Sequence, residues 1–164
     1  MKILLMVTLI SFSFFESFGQ NLALEKKHGI RDIRLGSNKS IYMDLYRIPS
    51  NIKCGEMYRR RNENLSIGGA KVVQIQYLYI NYTLSGIYLM FDNDDDMHSV
   101  WKALYSLYGM PKPNEDDTQI HWEAVTFHVS ATHKPRTLSY IINDFSEKCD
   151  DIQSRKVDEV RRQL

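Results

Sequence analysis

The sequence predicts an α+β fold. It reads as a two-layer domain with an antiparallel sheet of about five to six strands, one central amphipathic helix and a second helix at the C-terminus. Three observations carry this reading. Apolar and polar residues alternate in short runs bounded by turn residues, as strands with one buried face require. One internal stretch has helical period instead, with Met97, Val100, Trp101, Leu104, Leu107 and Tyr108 on a single stripe. Phe145, Cys149, Ile152 and Val160 keep helical spacing amid dense charge near the end of the chain.

Residues 1–19 read as a secretory signal peptide: Lys2, the apolar run Ile3 to Ile10, and small residues at Ser17 and Gly19 before Gln20. Glu16 and the Ser/Gly cluster cut the run short of the roughly 20 apolar residues that a membrane helix needs. The expectation is an exported chain, periplasmic or secreted, with no membrane span after cleavage. A single α+β domain then covers 20–144, and 145–164 form a C-terminal helix or tail.

Within the domain, Ile30, Ile33 and Leu35 lead into the turn residues Gly36-Ser37-Asn38. Ser40 to Ile48 alternates as a second strand and stops at Pro49. Asn51 to Gly69 reads as loop, because it holds Arg59-Arg60-Arg61 and Gly68-Gly69. The strongest strand signal runs from Val72 to Tyr82, with Val73, Ile75, Tyr77 and Tyr79 on one face. A Ser85-Gly86 turn returns it along Ile87 to Phe91. The acidic run Asp92 to Asp96 halts the sheet and suits a helix start, while Gly109 and Pro111 end that helix. Ile120 to Ala131 is strand-like but changes phase after Trp122, so a bulge or tight bend is expected at Glu123-Ala124. Leu138 to Ile142 pairs next, across a turn at His133 to Arg136.

Charge bounds the partners. The chain has 21 Lys+Arg against 20 Asp+Glu, a net +1, which asks for neither nucleic acid nor an anionic membrane. Two cysteines, Cys54 and Cys149, form a structural disulfide in an oxidising compartment or remain two separate thiols.

Few motifs carry chemistry. Asp92, Asp94, Asp95 and Asp96 offer oxygen ligands for calcium, yet the glycine and glutamate of the helix-loop-helix calcium motif are missing, and helix capping accounts for the run. His98, His121 and His128 show no zinc spacing. Tyr58, Arg59, Arg60 and Arg61 are candidates for gripping an acidic partner, since guanidinium forks match carboxylates. Tyr77, Tyr79, Tyr82 and Tyr88 supply either an exposed aromatic sheet face or core packing under the helix. No nucleophile motif, phosphate loop or cofactor motif is present.

The signal ending Ser17-Phe18-Gly19-Gln20 resembles those of exported proteins of Bacteroidota, which often begin their mature chain with Gln. Leu107-Tyr108-Gly109-Met110-Pro111, followed by a strand with Trp122, is similar to the middle of small uncharacterised periplasmic α+β proteins of that group. The resemblance implies an envelope location and no activity. The sequence therefore leads to an exported non-enzymatic binding module for an envelope protein or ligand, a class that includes inhibitors and immunity proteins. The alternative is a small periplasmic hydrolase or metal-dependent enzyme using Asp92, Asp94 and Asp96 with the histidines.

Overall fold

The computed structural model describes residues 26–114 and 118–163, so the predicted signal peptide and residues 115–117 lie outside the described residues. Short strands β1 (Gly29–Ile30) and β2 (Ile33–Arg34) pair with each other, and β5 (Ser66–Ile67) and β6 (Ala70–Lys71) form another small ribbon. The main sheet is built from β3 (Leu45–Ile48), β4 (Glu56–Arg60), β7 (Gln74–Ile80), β8 (Thr83–Met90), β9 (Lys112–Pro113), β10 (Gln119–Glu123), β11 (Phe127–Thr132) and β12 (Thr137–Ile142). Its order is β3-β4-β7-β8-β12-β11-β10-β9, with every neighbour antiparallel. Helices α1 (Asp94–Tyr108) and α2 (Phe145–Gln163) complete the α+β fold.

Eight strands replace the expected five to six. Strand β4 was hidden because its charged residues read as loop, although Met57 and Tyr58 are buried between them. The expected strand from Ser40 is shorter: Asn38 accepts from the Ser40 N–H and caps a 3-10 turn at Lys39–Ile41, leaving only Leu45–Ile48 to pair. The expected turn at Ser85-Gly86 lies instead at Asn81-Tyr82, both with left-handed φ of 47° and 66°, so Ser85 and Gly86 sit inside β8. Ile120 to Ala131 is two strands, because the bend tightens into a reversal in which the Ala124 N–H donates to the Phe127 carbonyl at 2.9 Å.

Helix α1 starts where its chemistry dictates. The Asn93 side chain accepts from the Asp96 N–H at 2.8 Å, and Asp94, Asp95 and Asp96 occupy the positive end of the helix dipole. Gly109 (φ 74°) returns its N–H to the Tyr105 carbonyl and ends the helix. The buried stripe is Met97, Val100, Leu104 and Tyr108, whereas Leu107 is exposed.

That stripe packs in one cluster with Ile75, Ile87, Leu89, Trp122, Val129, Leu138 and Tyr140. Ile33 and Leu35 belong to the same cluster, and their segment is pinned to the start of β8 by Gly36 N–H to Leu84 O and Leu84 N–H to Ser37 O. One sheet face is thus covered by α1 and the segment preceding β3. Helix α2 serves the other face at one end only, where Cys149 and Ile152 pack with Cys54 and Ile80, the residue that alternates with Tyr79.

Cys54 and Cys149 are joined in a disulfide with Cα atoms 5.0 Å apart, consistent with an oxidising compartment. Beyond Ile152 the described side chains of α2 are exposed. No helix among the described residues is long and apolar enough to cross a membrane.

Candidate binding surface

The residues singled out by sequence, Tyr58 to Arg61 with Tyr77 and Tyr79, are not one exposed site. Strand alternation sends Tyr58, Tyr77 and Tyr79 to the covered face, where Tyr77 is 1% and Tyr79 2% exposed. Tyr58 meets Tyr79 edge to face, with ring centroids 5.4 Å apart. The Tyr58 hydroxyl accepts from Lys39 Nζ and donates to Glu56 Oε2, both at 2.6 Å, and this hydrogen bond lowers the Glu56 pKa. Tyr77 donates to Glu63 Oε1 at 2.6 Å, and burial followed by that bond raises its pKa. The two alternatives for the four tyrosines divide between them: Tyr77 and Tyr79 pack in the core, Tyr82 lies in the β7–β8 turn, and Tyr88 sits on the opposite sheet face.

The three arginines separate for the same reason. Arg60 pairs with Asp32 at 2.8 Å and with Asp44 at 2.6 Å. Burial opposes its charge, yet those two carboxylates hold its pKa above the usual arginine range. The guanidinium in turn lowers the Asp32 pKa. Arg59 points away from this network, and its Nε is buried without a hydrogen-bond partner. Arg61 is exposed past the end of β4. Arg60 thus locks the segment before β3 onto the sheet and is not available to a partner.

The acidic run is also committed to structure. Asp94 contacts Arg136, which lowers its pKa; Asp96 accepts from the Lys71 N–H and from Asn93 Nδ2. Among the described residues, no group of three or more His, Cys, Asp or Glu is placed to hold a metal ion. His98 stacks on Trp101 on the outer side of α1 and is not among the residues that line the recess at the β10–β11 hairpin.

What the fold does assemble is the sheet face opposite α1. Parity places Gln76 of β7, Tyr88 of β8, Ser139 of β12, Ser130 of β11 and His121 of β10 on it, in adjacent strands. Ser130 and Ser139 share a hydrogen bond at 2.8 Å. At the hairpin end, Gln119, His121, Glu123, His128, Ser130 and Asn143 line an open recess of about 520 Å³. Asn143 donates to the Ala124 and Val125 carbonyls at 3.1 Å, which turns its Oδ1 toward His128 Nδ1, also at 3.1 Å. His121 Nε2 stands 3.6 Å from Glu123 Oε1, while Lys112 pairs with Glu123 at 2.7 Å.

The hairpin brings His121 and His128 to one face, which a continuous strand would not. Sequence reasoning missed Ser130, Ser139 and Gln76. Their signal was available in the polar positions that alternate with Val129, Tyr140 and Ile75. The end of the domain that holds Arg60 is, by contrast, a framework of ion pairs, Arg60 with Asp32 and Asp44 and Arg31 with Glu63. No protein-family model, curated protein or solved structure matches the chain.

Proposed function

We propose that the chain is an exported binding module without a catalytic centre, and that it engages an envelope protein through the sheet face opposite α1. The observation that supports this reading is the character of that face. The amide of Gln76 and the hydroxyls of Ser130 and Thr132 lie on the same face as the half-buried Tyr88 and Met90, across strands of one sheet, with Ser139 buried beneath as the hydrogen-bond partner of Ser130. Neutral side chains that both donate and accept, set around a tyrosine, suit a protein epitope. A polyanion would need a cationic surface, whereas Lys112 is already neutralised by Glu123. A rigid face of this kind fits an inhibitor or immunity role, in which the interface backbone moves little on binding. Export is supported by the signal-like residues 1–19 and by the Cys54–Cys149 bridge.

The enzyme reading rests on the His121–Glu123 approach in the hairpin recess, and that distance is longer than a hydrogen bond. The two are separated by in-cell photo-crosslinking of the full chain, with the reactive residue replacing Ser130 or, as a control, Lys102. The expected result is one protein crosslinked from position 130, absent from position 102, and lost with Thr132→Arg. Equal capture from both positions, or none, overturns the reading. Hydrolysis of an ester or phosphate reporter that disappears with His121→Ala favours the enzyme.

A further inference from the structure

The inner stripe of α1 is consumed by the core, yet its outer side carries a second set of aromatic residues: Trp101, which packs only partly against the core, and the exposed His98 and Tyr105. His98 and Trp101 stack nearly parallel, with centroids 5.7 Å apart and an interplanar angle of 13°. One turn further on, Tyr105 is 49% exposed, and Met110 in the exit loop is 73% exposed. These residues, with Asp95, Lys102 and Pro111, line a groove of about 720 Å³ between the helix and that loop. This volume lies within the range of small-molecule sites.

The groove is preformed. Trp122 Nε1 donates to the Gly109 carbonyl at 2.8 Å, and the Tyr105 hydroxyl meets Met110 Sδ at 3.1 Å, so the loop wall is held from both sides.

We propose that this groove is a ligand site for a neutral pyranose ring. Charge complementarity selects the class. Asp95 and Lys102 lie two turns apart on α1, carry opposite charge and stand in no ion pair among the described residues. An anion meets Asp95 and a cation meets Lys102, whereas a neutral polyol donates to the carboxylate and accepts from the ammonium. The floor of stacked rings and Pro111 suits the apolar C–H face of the sugar, because an aromatic ring offers a flat apolar body to one. An acyl chain needs a closed dry cavity, and this groove is open.

The chain has two tryptophans, and Trp122 is buried, so fluorescence from Trp101 reports occupancy. The full chain is titrated with methyl glucoside, methyl galactoside, maltose, cellobiose and chitobiose. The expected result is a saturable change for at least one saccharide, weakened about tenfold by Tyr105→Ala, which corresponds to about 1.4 kcal/mol. Leu107→Ala, on the same helix but outside the groove, keeps the affinity, and circular dichroism confirms that both variants fold. No saturable response to any of these sugars, an undiminished response in Tyr105→Ala, or saturation by a proline-rich peptide alone overturns the proposal.

Discussion

Removing the Cys54–Cys149 bridge is the most informative single perturbation of this fold, because the bridge closes a 95-residue loop that contains most of the sheet. In the chain-entropy model, a loop of that length restricts the unfolded ensemble by about 4.7 kcal/mol at 25 °C. Unfolding entropy is about 2.1 cal/mol/K per residue, so for the roughly 135 described residues the loss is about 17 °C in Tm. The double variant Cys54→Ser/Cys149→Ser is compared with the oxidised protein by urea denaturation, read through circular dichroism and tryptophan fluorescence. A second readout separates loop entropy from local loosening. Helix α2 is held chiefly by Phe145, Cys149 and Ile152, so its amides exchange faster in the variant even where the sheet stays protected. A loss below about 1 kcal/mol, or α2 amides that exchange unchanged, refutes the assignment of stability to this bridge.

Two further perturbations test the framework. Burial raises the Glu63 pKa above its ordinary value of 4.5, against the opposing hydrogen bond from Tyr77 and the charges of Arg60 and Arg31. The folded state then binds the proton more tightly than the unfolded one, so this group's contribution is fully present below about pH 4.5 and is lost as pH rises through the folded value. Glu63→Gln keeps an acceptor for Tyr77, removes that loss and flattens the pH dependence of Tm above 4.5; an unchanged slope contradicts it. Asn93→Ala removes the cap on the Asp96 N–H and is expected to cost about 1 kcal/mol in thermal denaturation, with wild-type stability as the contrary result.

The legible parts of the fold were those in which local chemistry and tertiary packing agree. The acidic start, apolar stripe and glycine-proline stop of α1 all point one way, and Asp94–Tyr108 follows. The pairing of β7 with β8 was legible from alternation, but its turn was not, because Asn81 and Tyr82 adopt left-handed φ where the sequence offers Ser85-Gly86 as the better turn former. Strand β4 escaped notice because Arg60 is neutralised by Asp32 and Asp44, residues far away in sequence, while Arg59 is carried to the other face of the strand. The same long-range pairing removed Arg60 from the functional set. Tyr77 and Tyr79 were ambiguous by nature, since alternation separates two faces without saying which one is covered.

The meeting of β8 and β12 at the centre of the sheet has a consequence for folding order. In the main sheet, β3, β4, β7 and β8 form one meander and β9 to β12 another, each joined by contacts between strands near in sequence; the β8–β12 seam is the strand pairing that unites them. Loop-closure entropy makes such a distant pairing slow relative to the local hairpins. Tyr88 and Ser139, which face each other across that seam, become neighbours only at this docking step. A partner that reads Tyr88 of one meander together with Ser130 of the other recognises the finished protein and ignores its half-folded precursors.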